Sequence, residues 1–149
     1  MAITATLLCA EDRLEWEQLY RGYAGFYQVP MTPQILDNVW SWIFDDSCQF
    51  YALVAKDDSE RSVGLMHYRA MASPLRGSMV GFLDDLFVDP SSRGQGVVDV
   101  LFTALEQSAR DHDWPIVRWL TADNNYRGRA VYDKLAERTS WITYQMPVD

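Results

Sequence analysis

The run Phe82 to Val98, FLDDLFVDPSSRGQGVV, most constrains what this 149-residue chain can fold into. Leu83, Leu86, Phe87 and Val88 are strand formers. Asp89-Pro90-Ser91-Ser92 is turn chemistry, and Gly94 and Gly96 stand where a long helical pattern begins. Glycines at a helix start leave backbone N–H groups uncovered. With the helix dipole, these make a place for phosphate or pyrophosphate. Asp84 and Asp85 sit a few residues upstream. An anion cradle beside two carboxylates points to a phosphorylated cofactor meeting a cationic or proton-losing substrate.

The rest of the chain alternates strands and helices around that run. Residues 2–8 read as a first strand. From Glu11 to about Phe26, Trp16, Tyr20, Tyr23 and Tyr27 recur at helical spacing. Such a stripe is first of all core, although tyrosine also suits the edge of a cleft. Val29-Pro30 breaks that helix. Thr32-Pro33 then reads as a cap and first helical position, with Ile35, Val39 and Ile43 as the apolar face. Strands follow over Gln49–Lys56, Val63–Met71 and Val80–Val88, joined by short polar turns, so they run antiparallel. A helix from Gly94 to about His112 carries the stripe Val98, Leu101, Phe102, Leu105 and Ala109. Ile116–Thr121 is a strand, Arg127–Ala136 a helix behind the caps of Asp123-Asn124-Asn125, and Ser140–Met146 a last strand. The late strand–helix–strand units need crossovers, which bring in parallel pairing. Residues 1–149 are expected to form one α/β domain with a mixed, mostly antiparallel sheet of about six to seven strands and four helices.

Composition narrows the function. With 48% apolar residues, six Trp, eight Tyr and six Phe, the chain can bury a core. A net charge of −8 argues against nucleic acid as a partner. Residues 1–60 hold three basic against ten acidic groups, a field that favours cationic ligands if it borders a cleft. Cys9 and Cys48 have no paired spacing, and two lone histidines give no metal motif. His67 reads as a structural histidine. No apolar run approaches membrane-spanning length, and neither a leader nor an anchor is recognisable. A cytoplasmic protein is expected.

The order of elements, with Arg93-Gly94-Gln95-Gly96 after the fourth strand, resembles the GNAT superfamily of acetyl-CoA-dependent N-acetyltransferases over essentially the whole chain. Arg93, Gly96 and Val98 fall on the three fixed positions of that family's Gln/Arg-x-x-Gly-x-Gly/Ala signature. Leu83-Asp84-Asp85-Leu86-Phe87-Val88 is similar to the Leu-Glu-Asp-Phe/Leu-Phe-Val of the spermidine/spermine (diamine) acetyltransferase branch. Asn125 and Tyr132 keep the family's seven-residue spacing. The chain departs from the pattern at Val98-Asp99. There a branched side chain stands for Gly or Ala, and a carboxylate suits the helix dipole but repels phosphate.

The resemblance implies a set of roles. Backbone N–H groups of Arg93, Gly94, Gln95, Gly96, Val97 and Val98 would hold the pyrophosphate of acetyl-CoA. The strand edge Leu86, Phe87 and Val88 would take the pantetheine arm and polarise the thioester oxygen, and Asn125 would contact the cofactor. Tyr132 would be the general acid toward the leaving thiolate, since a phenol of pKa about 10 is a reasonable donor to a thiol of about 8.5. Asp84 would be the base acting through water, and Asp85, Tyr20 and Tyr27 would hold the amine. Neighbours on a strand point to opposite faces, so Asp84 and Asp85 share a site only if a bulge intervenes. The substrate implied is a small cationic amine, such as a polyamine or diamine, and the assembly a homodimer. The competing reading, motivated by Val98-Asp99, is a GNAT-fold sensor that binds acyl-CoA or amine without turnover.

Overall fold

The computed structural model describes residues 2–149. They fall into two compact units, one running through Trp119 and the other Leu120–Asp149.

The first unit holds strands β1 (Thr4–Leu7), β2 (Phe50–Lys56), β3 (Ser62–Ser73), β4 (Ser78–Val88) and β5 (Val117–Trp119), with helices α1 (Arg13–Phe26), α2 (Pro33–Ile43) and α3 (Val97–Asp111). The strands lie in one sheet in chain order. β1 to β4 pair antiparallel, and β5 joins β4 in parallel. The connections dictate this: short turns link β2, β3 and β4, and α3 supplies the crossover to β5.

Two apolar layers hold the sheet. On one face Met66, Tyr68 and Leu83 pack with Val97, Leu101 and Leu105 of α3. On the other, Leu65, Ala52 and Val54 pack with Trp16 and Leu19 of α1 and Leu36 and Val39 of α2. Truncating one of these buried leucines to alanine costs about 2–5 kcal/mol. α2 starts as its sequence dictates, with Pro33 in the first turn and the Thr32 hydroxyl accepting from Ile35 N–H at 3.2 Å. α3 sits low on the sheet because β3 offers Gly64 beneath it. A Cβ at Gly64 would lie 2.7 Å from a Val97 methyl carbon.

β4 is irregular in two places. The β3–β4 ladder pairs His67 with Asp85 but Tyr68 with Leu83, so Asp84 is an extra residue, a β-bulge. The β4–β5 ladder is only Gly81–Val117, Phe82–Arg118 and Leu83–Trp119. Beyond Leu83 no described strand pairs with that edge of β4.

The second unit holds α4 (Tyr126–Leu135), followed by residues 136–149 without regular structure. The sheet therefore has five strands, not six or seven. Residues 140–146 have the composition of a strand, but no neighbour pairs with them, and strand propensity alone does not supply a ladder. The strand at Ile116–Thr121 is likewise shorter than expected, and the long helix begins at Val97 rather than Gly94. Among the described residues no helix is long and apolar enough to cross a membrane.

Candidate active site

The bulge decides where the two carboxylates go. Phe87 and Leu65 pair on the α1/α2 side of the sheet, and His67 and Asp85 share that side two residues away. The inserted Asp84 interrupts the alternation and faces the same side. Asp84 and Asp85 thus line one cleft of about 570 Å³ with Tyr20, Trp42, Phe50 and Arg69. Cys48 also borders it.

The two carboxylates have different surroundings. Asp85 Oδ2 lies 2.9 Å from His67 Nδ1 and accepts from the Tyr20 hydroxyl at 3.1 Å. Burial pushes the Asp85 carboxyl up, but hydrogen bonds from His67, Tyr23 and Tyr20 outweigh it and hold its pKa below the ordinary value. Asp84 is paired with Arg69, whose Nε reaches both carboxylate oxygens at 3.2 and 3.0 Å. Burial nevertheless raises the Asp84 pKa against the pull of Arg69, with the charge of Asp85 adding to the rise. The two neighbouring carboxyls are thus shifted in opposite directions, Asp85 toward the anion and Asp84 toward easier proton uptake. The Tyr20 phenol, buried and facing Asp85, is raised and stays neutral.

The glycine-rich turn closes the same edge of the sheet. Asp89 accepts from Ser91 N–H at 2.9 Å and shapes a short 3₁₀ turn over Pro90–Ser92. Gly94 and Gly96 then take left-handed φ values of 79° and 82°. A Cβ at either would meet nothing within 4 Å, and no side chain caps α3. The loop is therefore open where a pyrophosphate would lie against backbone N–H groups, so these residues fit acetyl-CoA. Val98 is half-buried against the α3-side core, so its side chain is engaged in packing. Asp99 is exposed in the first turn. Arg93 and Gln95 are exposed, and the Arg93 guanidinium carbon stands 6.0 Å from the Phe87 ring centroid. Val97 is buried, so only its backbone is available to a ligand.

Leu86, Phe87 and Val88 lie on the part of β4 that β5 leaves unpaired. Their side chains serve the core on both faces, and their backbone forms the free edge. Tyr27 does not line the acid cleft: it follows α1, is 45% exposed and packs against Tyr23 in a tilted contact, 4.9 Å between ring centroids. In the second unit Asn125 caps α4. Its Oδ1 accepts from Gly128 N–H at 3.2 Å and its Nδ2 donates to Thr121 Oγ1 at 3.0 Å. Tyr132 is half-buried on the same helix.

Arg69, Trp42 and Phe50 are cleft residues that no sequence motif singles out. Arg69 carries a weak signal: it follows His67 by two in a strand and so shares its face. Trp42 is brought in by the packing of α2 and Phe50 by the pairing of β2 with β3 opposite Arg69, neither of which a local pattern announces.

An open strand edge leading into an uncapped, glycine-opened helix, with two acids on the same strand, fits a transferase that draws on a phosphorylated donor. The chain belongs to the acetyltransferase (GNAT) family, whose model matches residues 14–136. It is an acetyl-CoA-dependent N-acetyltransferase. It is 25% identical over 136 residues to a D-amino-acid N-acetyltransferase of Saccharomyces cerevisiae, covering 91% of this chain and 84% of that one. Its fold matches a ribosomal-protein-alanine N-acetyltransferase from Brucella melitensis with a TM-score of 0.80 at 24% identity, over 99% of this chain and 100% of the other. It also matches an aminoglycoside 6'-N-acetyltransferase from Acinetobacter baumannii, with a TM-score of 0.76 at 17% identity over 98% and 100%.

Proposed function

We propose that this enzyme acetylates the primary amine of a small cationic substrate, of the polyamine or diamine kind. The observation that supports the reading best is the bulge, which turns both Asp84 and Asp85 toward one cleft walled by Tyr20, Trp42 and Phe50. Two carboxylates and aromatic faces suit an ammonium group. In this reading Asp85, kept ionised, anchors the ammonium. Asp84 accepts its proton through water, which Arg69 must allow by loosening its ion pair. Acetyl-CoA supplies an activated thioester when bound. The backbone of Arg93–Val98 would hold its pyrophosphate, the Leu86–Val88 edge would align its arm and offer an N–H to the carbonyl oxygen, and Asn125 would assist. Tyr132 would supply the proton that the departing thiolate takes up. Alignment of the two partners supplies a large share of the rate.

Arg69 favours a second reading. A guanidinium beside the carboxylates would also receive the carboxylate of an amino acid, the substrate class that the yeast relative is named for. Thiol release from acetyl-CoA, measured over a panel of polyamines, diamines and D- and L-amino acids, decides. Release with polyamines or diamines upholds the proposal, and release with amino acids alone replaces it. No release from protein that clearly binds acetyl-CoA would make this a sensor. For Tyr132→Phe, turnover is expected to fall tenfold or more with acetyl-CoA affinity kept. Unchanged turnover would remove Tyr132 as the acid.

A further inference from the structure

Behind the cleft lies a buried chain of polar groups that the transfer chemistry leaves unused. His67 and Trp16 are both fully buried. Trp16 Nε1 donates to His67 Nε2 at 3.0 Å, and His67 Nδ1 meets Asp85 Oδ2 at 2.9 Å. An indole nitrogen is a donor only. His67 Nε2 must then present a lone pair, so the ring proton sits on Nδ1 and is donated to Asp85; the hydrogen-bond network assigns this tautomer. We propose that His67 is a positioning residue, locked in one tautomer by Trp16, that aims the Asp85 carboxylate at the ammonium of the substrate. The inference rests on the reading of Asp85 as the amine contact.

Three features separate this from a histidine that merely satisfies itself in a core. Its acceptor is a carboxylate that also lines the cleft, with a side chain 17% exposed. The hydrogen bonds of His67 and Tyr20 converge on the same oxygen, so the carboxylate cannot turn about its axis without losing both. The opposite tautomer would set two N–H groups against each other at Trp16 and two acceptors against each other at Asp85. The indole therefore controls a carboxylate it does not touch, through one ring. The titratable and charged groups around Asp85 are Tyr20 and Tyr23 from α1, His67 and Arg69 from β3, Asp84 from β4, and Cys48 in the loop before β2. Of these, His67 alone takes its proton placement from a third residue.

The test combines spectroscopy and kinetics. Nitrogen-15 NMR of the neutral wild-type ring is expected to show the proton on Nδ1 and a bare Nε2. His67→Leu is expected to raise the KM for the best amine by about tenfold or more, the loss of one hydrogen bond to a charged group, with the KM for acetyl-CoA unchanged. His67→Asn, which keeps a donor near the Nδ1 position, should recover part of that loss. Should His67→Leu fail to fold, Trp16→Phe carries the kinetic arm: it removes the indole donor while keeping an aromatic ring in the core, and should move the His67 proton toward Nε2 and raise the amine KM. A wild-type proton on Nε2, or an amine KM unmoved in a folded variant, overturns the proposal. If the wild type turns over no amine, the functional reading falls by itself. Calorimetric amine binding, weaker in His67→Leu or not, then decides the role of His67, and absence of any amine binding overturns both.

Discussion

Asp84 and Asp85 are neighbours in the chain with opposite electrostatic fates. The depressed Asp85 contributes stability that is present above the unfolded-state value near 4 and lost as pH falls through its lower folded value. Asp84 runs the other way: its stabilising, protonated form prevails below about 4, and that contribution is lost as pH rises through the raised folded value. At pH 7.5 its charge is a cost to the fold. Asp84→Asn is therefore expected to hold or raise the melting temperature at pH 7.5 while turnover falls by about 10²-fold or more. A stable variant with normal turnover would show that Asp84 is not the base. Both acids, and the condition that only a bulge lets them share a face, were legible in the sequence. The Arg69 pair and the Trp16–His67 hold on Asp85 were not, because they join residues 15 and 51 apart across elements whose register no local pattern fixes.

At the scale of elements, the strand–turn–helix unit of β4 and α3 was readable because each part has its own chemistry: strand formers, Asp-Pro turn, glycines, apolar stripe. Gly96, in left-handed φ with open space around its Cα, is needed for backbone shape and ligand approach. Gly96→Ala should cost about 1–2 kcal/mol of stability and raise the acetyl-CoA KM severalfold, leaving the amine KM in place. A rise in the amine KM alone would contradict the assignment of this loop to the cofactor. The misjudged element is the final strand, where composition was right and a pairing neighbour was missing. Asn125 has a structural role that its spacing to Tyr132 did not announce: its side chain caps α4, and a Cβ at Gly128 would lie 2.5 Å from its amide nitrogen.

For the molecule as a whole, the strongest sequence-level statement is charge. Residues 1–60 carry most of the acidic excess, and a net −8 favours encounter with polycations. Raising salt from about 0.05 to 0.5 M, which shortens the screening length severalfold, should lower kcat/KM for a polyamine by several-fold and for an uncharged-tail monoamine much less. Equal responses would show that the surface field does not steer substrate. One consequence of the β4 bulge reaches beyond chemistry. Remove Asp84 and the ladder closes into unbroken alternation, with Leu83 and Asp85 already in phase with Tyr68 and His67. No core residue has to change sides. The hydrophobic layers thus neither require nor resist the inserted residue, so the bulge shapes the cleft and not the core.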